Sequence, residues 1–486
     1  DPDVIRVEDT YYMVSTTMHF MPGCEILQSF DLVHWEHVTY VYETLDHTDA
    51  QQLKSGHNIY GQGMWAASLR YHEGRFYICF VANDTRKTYL YTSEKIDGPW
   101  KKQLIEGFYH DGSLLFDEDG RNYIVYGNDE IWITELNEDL TAPKKDGLHR
   151  LLVSDHKNPE LGYEGSHIQK INGYYYIFLV HSLRDRWMRT EACFYSDSLE
   201  GEFTGGDVLC DDRGYCGQGV AQGGIVDTPD GKWYAMLFQD SGAVGRLPIL
   251  LPVTWKDHFP VFGQNGHVPE EIEVHSTRPG YIYQPLVGSD DFCNGLLPRW
   301  QFNHDPDPQY YHLDALQGTY TITTREVCTE LTQAVNTLTQ RMSYPSCAAE
   351  VTVDASALKE GDVAGLCAFQ GCYAAVGITK HHGKYEVLML DKKEDGILDM
   401  TEGTVVESHQ MDFRLEADFC NMKDEARCYY RVNKGDWLPI GTVHKLYFKL
   451  DHFTGCRFGL FCYAAEETGG SACFRDFKYY DVDEIS

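Results

Sequence analysis

The 486-residue chain has little positive charge, since only 41 Lys and Arg residues stand against 74 Asp and Glu residues, for a formal charge of −33. Such an acidic surface repels phosphate backbones, so we expect no nucleic-acid partner, whereas a neutral sugar polymer is not repelled. Long apolar runs that could cross a bilayer are also missing, and we expect no membrane partner. The composition is therefore compatible with an uncharged ligand.

Cysteine patterns typical of disulfide frameworks or zinc sites are missing as well. The 15 cysteines are scattered and odd in number, and the pairs Cys367–Cys372 and Cys420–Cys428 lack the second ligand pair that zinc requires. No leader peptide is visible, although the chain begins at Asp1 rather than at Met. We interpret the cysteines as buried thiols and predict a cytoplasmic location. Those inside strand-like runs include Cys79, Cys193, Cys367 and Cys462.

Helical periodicity is nearly absent, and what takes its place is a turn followed by an aromatic-rich strand that recurs five times. The copies begin roughly 46 to 65 residues apart, which is typical of propeller blades with loop insertions. The sequence therefore predicts an all-β protein that begins with a five-bladed β-propeller. The copies are Glu8–Val14, Glu73–Cys79, Asp119–Val125, Asn172–Phe178 and Asp230–Met236.

A second region follows the repeats. A stretch rich in Pro and Gly, from about Phe259 to Val287, is interpreted as a linker that wraps the first domain. Beyond Ser289, short alternating segments predict a β-sandwich. We therefore predict a propeller over residues 1–287 and a β-sandwich over 288–486. The alternating segments include Thr319–Thr323, Ala348–Val353, Lys384–Leu390, Phe458–Tyr463 and Phe474–Tyr480.

Three acidic residues, Asp1, Asp111 and Glu164, stand just ahead of the first, third and fourth copies. Taken singly, Asp1 and Asp111 fit ordinary turns, and Glu164 fits an exposed turn as well as a desolvated carboxylic acid. Taken together, they would be gathered from separate blades onto one axis. Carboxyl groups in that arrangement are what hydrolysis of a glycosidic bond requires.

Several other side chains are candidates for binding a sugar. Trp65, Phe20 and Asn128 could form a platform, although core packing is the common role of such residues. Arg246, which follows a Gly in an apolar strand, is expected to have a specific partner, either a carboxylate or a substrate hydroxyl. Gln222 could orient a water molecule or an ion on the axis, or simply pack against backbone.

These residues resemble the motifs of glycoside hydrolase family 43. Asp1-Pro2-Asp3 resembles the segment with the general base, Asp111-Gly112-Ser113 the segment with the auxiliary Asp, and Glu164-Gly165-Ser166-His167 the segment with the general acid. Pro often stands in the family at the positions of Gly112, Ser166 and Ala67. Trp65 resembles the stacking Trp and Arg246 a substrate-contacting Arg. Two segments of the second region, Asn336–Arg341 and Tyr463–Glu467, are similar to its β-xylosidase-like branch.

The resemblance implies an inverting exo-glycosidase that acts on xylo-oligosaccharides or arabinoxylan. Asp1 would activate water, Glu164 would protonate the leaving oxygen, and Asp111 would raise the pKa of Glu164. The carboxyl groups of Asp1 and Glu164 should then lie roughly 6.5 to 9.5 Å apart. The concanavalin-like sandwich would either close the pocket or serve as a separate carbohydrate-binding module. A non-catalytic sugar-binding propeller and an endo-arabinanase are the alternatives.

The resemblance also bears on cofactors and assembly. The family often has a His on the channel axis, near a bound calcium or water, where this chain carries Gln222. We therefore expect no required cofactor and regard a calcium site as doubtful. Assembly into a homo-oligomer stays open.

Overall fold

A computed structural model describes residues 1–481, so the last five residues of the predicted second domain lie outside the described part. Strands dominate, and the described helices are four short 3₁₀ turns. None of the helices described in this range is long and apolar enough to cross a membrane. The 3₁₀ turns are Lys54–Gly56, Gly242–Val244, Leu331–Gln333 and Cys420–Met422.

The first half is a propeller of five blades, each an antiparallel sheet of four strands. Blade 1 contains Asp3–Val7, Thr10–Val14, Gly23–Ser29 and Glu36–Tyr42. Blade 2 contains Met64–His72, Arg75–Ala82, Lys87–Ser93 and Lys101–Ile105. Blade 3 contains Ser113–Phe116, Asn122–Asn128, Glu130–Leu136 and His149–Ser154. Blade 4 contains Glu164–Ile171, Tyr174–Ser182, Arg189–Ser196 and Thr204–Leu209, and blade 5 contains Gly224–Asp227, Trp233–Asp240, Arg246–Lys256 and Phe259–Phe262.

The repeated signature is the hairpin between the first two strands of each blade. In four of the five blades the turn places a glycine at positive φ, for example +78° at Gly74 and +84° at Gly173, where a side chain would be strained. The aromatic second strand packs between sheets, while the first strands of different blades contact one another around the channel. The five-bladed prediction is confirmed. The predicted linker begins too early, because Phe259–Phe262 is the last strand of blade 5.

Arg70 lies between the blades and bonds to several of them. Its guanidinium donates to Asp3 of blade 1 at 2.8 Å, to the Ser113 hydroxyl and the Leu114 carbonyl of blade 3, and to the Ile168 carbonyl of blade 4. The Asp3 carboxylate also accepts the Leu69 amide at 2.7 Å. One buried cation therefore ties four blades together.

The second half is a β-sandwich of two large sheets around one extended apolar core, as predicted. All five alternating segments named above lie in strands of these sheets. The nine-stranded sheet contains Phe20–Met21, Gln301–Asn303, Leu338–Arg341, Arg457–Tyr463, Val363–Phe369, Ala374–His381, Lys384–Lys392, Leu398–Met400 and Thr404–Val406. The seven-stranded sheet contains Tyr311–Asp314, Thr319–Thr323, Ser471–Asp481, Ser346–Asp354, Gln410–Asp418, Glu425–Val432 and Leu438–Lys445.

One strand from the propeller half of the sequence belongs to the sandwich. Phe20–Met21 leaves blade 1 and pairs with Gln301–Asn303 at the edge of the nine-stranded sheet. Phe20 is fully buried there, with the Arg457 guanidinium 3.6 Å from its ring centre. The assignment of Phe20 to a sugar platform is therefore wrong, because neither face of its ring is open to a ligand.

The interpretation of the cysteines as buried thiols holds for most of them but is wrong for Cys210, Cys216, Cys293 and Cys420, which are exposed. None of the fifteen, all of which lie within the described residues, is in a disulfide, and Cys79, Cys193, Cys367 and Cys462 are buried. The predicted boundary at 287/288 falls between the last propeller strand and Gln301–Asn303. That boundary stays a prediction.

Candidate active site

The candidate residues converge because of where they stand in their strands. Asp1, Asp111 and Gln222 lie within two residues ahead of a first strand, and Glu164 begins one. First strands run in the same direction around a propeller, so their starts meet at one mouth of the channel. Asn128 ends a second, antiparallel strand, and Arg246 begins a third strand that is again parallel to the first. These side chains therefore also reach the same mouth.

Two donors hold the carboxylate of Asp1. The Thr16 hydroxyl donates to one oxygen at 2.5 Å, and the Arg246 guanidinium donates to the other at 2.5 Å. Arg246 also donates to Asp240 at 3.2 Å, and Asp240 accepts from Arg189 at 3.1 Å. The expectation that Arg246 has specific partners is confirmed, and both partners are carboxylates.

Glu164, Asp111 and His110 form a compact group. Asn128 donates to Oε2 of Glu164 at 2.8 Å, and Nε2 of His110 lies 3.5 Å from the same oxygen. Oδ2 of Asp111 accepts the Gly165 amide at 2.9 Å and lies 3.6 Å from Nε2 of His110. Asp111 thus fixes the backbone beside Glu164. The imidazole nitrogen and the two carboxylate oxygens lie within 4.8 Å of one another, an arrangement that can hold a metal ion.

The electrostatics of this group differ from the expectation for Glu164. Burial would raise its pKa, but the hydrogen bond and charge of His110, with Arg189 and Arg246, bring the pKa below its ordinary value. Burial and the neighbouring Glu164 instead raise the pKa of Asp111. The Asp111 carboxylate raises the pKa of His110 to about 9. The like-charge effect predicted for Glu164 therefore falls on Asp111 in the substrate-free protein.

Gln222 lies behind Glu164. Gly165 has a φ of +68°, and a Cβ atom there would lie 2.2 Å from Cδ of Gln222, so only glycine lets the two segments pack. Calcium takes six to eight oxygen ligands, usually with several carboxylates. Asp3, the carboxylate on the channel wall, is already bound by Arg70 and the Leu69 amide. Among the residues described around the channel, the Gln222 amide and the already bound Asp3 carboxylate therefore do not supply the oxygen ligands that calcium needs.

An aromatic wall of the pocket comes from both halves of the chain. The Phe453 ring, on a sandwich loop, packs edge-on against Trp65 at 5.6 Å and lies 4.2 Å from the Arg246 guanidinium. The His110 ring lies 6.1 Å from Trp65 on another side. Trp65 and Asn128 thus lie at the pocket, and their roles toward a sugar stay predictions.

His110, Thr16 and Phe453 were missed by the sequence interpretation. His110 stands next to Asp111, so its position beside a candidate carboxylate was the available signal. Phe453 carries no local signal, because its partners are about 200 and 390 residues away in the sequence.

Comparison with known families agrees with this geometry. The family model described as "Glycosyl hydrolases family 43" matches residues 1–260, which is more than half of the chain. The chain belongs to glycosyl hydrolase family 43. It is a glycosidase with a carbohydrate substrate. The model described as "Beta xylosidase C-terminal Concanavalin A-like domain" matches residues 289–480.

Individual relatives of this family 43 member cover nearly the whole chain. A solved structure of a bifunctional GH43-CE from Bacteroides eggerthii is 42% identical with a TM-score of 0.91, covering 99% of this chain and 62% of that longer one. A beta-xylosidase of Formosa agariphila is 26% identical, with 99% of this chain and 87% of the relative covered. A xylosidase/arabinosidase 43B of Humicola insolens is 25% identical over 99% of this chain and 95% of the relative.

Proposed function

We propose that the protein is an inverting, exo-acting glycosidase that releases xylose, arabinose or both from xylo-oligosaccharides and arabinoxylan. The observation that carries the proposal is the meeting of Asp1 and Glu164 at one channel mouth, on blades that are not neighbours. Their partners differ: Asp1 is held by Thr16 and Arg246, and Glu164 by Asn128 and His110. Two carboxyl groups in different surroundings can divide the work of base and acid.

Asp1 acts as the general base. Its carboxylate takes a proton from a water molecule, whose oxygen attacks the anomeric carbon as the glycosidic bond breaks. Arg246 and Thr16 fix the carboxylate for this transfer, and the ion pair with Asp240 fixes Arg246 in turn. These hydrogen bonds hold the Asp1 carboxylate in one orientation toward the sugar.

Glu164 acts as the general acid and donates its proton to the leaving oxygen. In the substrate-free protein its pKa lies below the ordinary value because of His110 and two arginines. A bound sugar displaces water from the pocket, and desolvation favours the neutral carboxylic acid. Asp111, through the Gly165 amide, keeps the Glu164 backbone in place while this happens.

Product stereochemistry tests the mechanism directly. Inversion needs room for water between the two carboxyl groups, a separation of roughly 6.5 to 9.5 Å, whereas retaining enzymes have roughly 5 to 5.5 Å. Proton NMR of the first sugar released from an aryl β-D-xyloside should show the α-anomer. A first-formed β-anomer would exclude the inverting mechanism.

The position of Phe453 supports exo action. The Phe453 ring of the sandwich packs beside Trp65 and Arg246 at the candidate site, and we expect a second domain at this position to restrict access to the end of a sugar chain. Digestion of xylohexaose labelled at the reducing end should therefore release single sugars and shorten the labelled product by one unit at a time. Early release of internal fragments would favour endo action instead.

The choice between xylose and arabinose rests on the relatives, one named for xylosidase activity and another for both activities. Kinetics on an aryl β-D-xylopyranoside and an aryl α-L-arabinofuranoside, side by side, give the ratio of kcat/KM for the two sugars. Turnover of neither substrate, with binding retained, would favour a sugar-binding propeller.

A further inference from the structure

The spacing of three side chains in the pocket is that of metal ligands. Nε2 of His110 lies 3.5 Å from Oε2 of Glu164 and 3.6 Å from Oδ2 of Asp111. Zinc bonds to nitrogen and oxygen are roughly 2.0 to 2.2 Å long, which places two ligands of a tetrahedral ion roughly 3.3 to 3.6 Å apart. The two measured distances fall at this tetrahedral edge, and the third atom pair lies within 4.8 Å.

The ligand types select one class of metal. An imidazole nitrogen with two carboxylate oxygens suits zinc, nickel or copper, whereas calcium and magnesium require more oxygen ligands. Three protein ligands leave a fourth position open toward the pocket, as in zinc sites that bind water or a substrate atom. A sugar hydroxyl or water could occupy that position.

Neighbouring groups already orient the ligands. The Gly165 amide donates to the ligand oxygen of Asp111, and Asn128 donates to the ligand oxygen of Glu164. Such outer hydrogen bonds fix ligand direction and strengthen metal binding. The side chains of His110 and Glu164 are 20% and 19% exposed, so an ion can enter from the pocket without unfolding.

We propose that His110, Asp111 and Glu164 bind a divalent transition metal such as zinc, and that the bound ion blocks hydrolysis. Binding releases the His110 proton to solvent, because a metal ligand must be deprotonated. The ion would occupy the Glu164 oxygen that lies nearest His110, so this carboxyl group could not carry the proton for the leaving oxygen. The inhibition, but not the binding, rests on the proposed function of Glu164.

Calorimetric titration with zinc chloride tests the binding without any turnover. Wild type should bind one zinc ion at this site, and both His110→Gln and Asp111→Asn should bind it at least tenfold more weakly. Two variants are used so that the conclusion does not depend on the folding of either one. Magnesium chloride should give no binding at this site.

His181 provides a matched control. It also stands between two carboxylates, but Asp155 lies 3.4 Å from its Nδ1 and Asp207 lies 2.7 Å from its Nε2. The two carboxylates therefore face opposite edges of the ring and cannot share one ion with it. His181→Gln should bind zinc as wild type does.

Two results would overturn the site: absence of zinc binding by wild type, or equal binding by wild type and His110→Gln. Zinc should also inhibit hydrolysis of an aryl glycoside by the His181→Gln variant as strongly as by wild type. A wild-type protein that binds zinc at this site but hydrolyses no glycoside would leave the metal site standing and remove the proposed activity.

Discussion

The propeller and the sandwich are built from similar strands, but their interiors differ in chemistry. At the centre of the propeller lie charged groups, with Arg70 and Asp3 buried together and Arg189, Asp240 and Arg246 in a chain. The centre of the sandwich is an extended apolar core built from residues that include Val351, Phe413, Leu415 and Phe474, and its buried Arg457 lies at the junction beside Phe20.

The difference follows from geometry. In a propeller, first strands from all blades face a common axis, so polar groups from distant parts of the sequence can satisfy one another there. In a sandwich, two sheets face each other across a layer of side chains that must exclude water. The candidate acid and base therefore lie on the propeller, and the sandwich reaches the candidate site through the loop with Phe453.

The largest expected effect comes from removing the acid of the propeller. Glu164→Gln should lower kcat by about 10²- to 10⁴-fold, because the proton for the leaving oxygen is lost. The loss should be greatest on an unactivated disaccharide and smaller on an aryl glycoside whose leaving group needs little protonation. Asp1→Asn should be similarly impaired on both substrates. The exposed Glu160, just ahead of Glu164, gives the control Glu160→Gln, which should retain full activity.

Equal rates for Glu164→Gln and wild type on the disaccharide would show that Glu164 is not the general acid. Thermal unfolding of each variant shows whether an effect on rate is separate from an effect on folding.

The next effect concerns the charged centre itself. Arg70→Met should lower the free energy of unfolding by about 3 to 5 kcal/mol, because it leaves the Asp3 carboxylate buried without its cation. Urea denaturation measures the change. The surface pair of Arg75 and Glu94, 3.5 Å apart, supplies the control: Arg75→Met should cost no more than about 1 kcal/mol. Equal losses of unfolding free energy for the two variants would contradict a larger contribution of the Arg70–Asp3 pair to stability.

The junction between the two halves should respond to acid. His304 is fully buried beside His19, Tyr60 and His452, and burial followed by the charge of His452 lowers its pKa to about 3. Burial, His304, His452 and Arg457 likewise lower the pKa of His19. The folded protein thus binds fewer protons than the unfolded chain, so stability is greatest above about pH 6.5 and falls as the pH drops toward the folded pKa.

At pH 5 the loss from His304 should be about 2 kcal/mol relative to pH 7.5, and His19 should act in the same direction. Urea denaturation at both pH values measures it, and His304→Gln should lose about 2 kcal/mol less than wild type between them. The exposed His275, changed to Gln, should leave the pH dependence unchanged. A His304→Gln variant with the wild-type pH dependence would show that protonation of the His304 imidazole does not lower the stability of the fold.

The smallest expected effect tests what the sandwich adds to the site. Phe453→Ala removes the ring between Trp65 and Arg246, and we expect kcat/KM to fall about tenfold, or about 1.4 kcal/mol. Steady-state kinetics on an aryl glycoside measure it. Leu450→Ala, in the same loop and 63% exposed, should behave as wild type. Unchanged kinetics for Phe453→Ala would confine the pocket to the propeller.

Much of the fold was predictable because it depends on neighbours in the sequence. The hairpin glycines and the aromatic strands after them, as at Gly74 and Gly173, recur at regular intervals in the first half of the chain and so indicate blades there. The positions of Asp1, Asp111 and Glu164 at the starts of first strands then bring them together, since repetition around an axis gathers equivalent positions.

The failures have a common cause. Phe20 has the same residue type as a sugar-stacking ring, but its two-residue strand leaves the propeller and pairs with Gln301–Asn303, more than 280 positions away. The pKa of Glu164 was predicted from desolvation and one neighbour, Asp111, whereas His110, Arg189 and Arg246 together reverse the shift. Burial and charge depend on everything that packs around a group, which a local motif does not describe.

The sequence by itself determined the five blades, the all-β second half and the identity of the candidate acid and base, because each depends on a pattern within a few residues. Only the tertiary structure decided that Phe453 packs beside Trp65 and Arg246, that Phe20 is buried at the junction and that His110 lies between two carboxylates. The physical reason is that hydrogen bonds, charge interactions and burial depend on distances in space, and these contacts join residues that are far apart in the chain or belong to different blades.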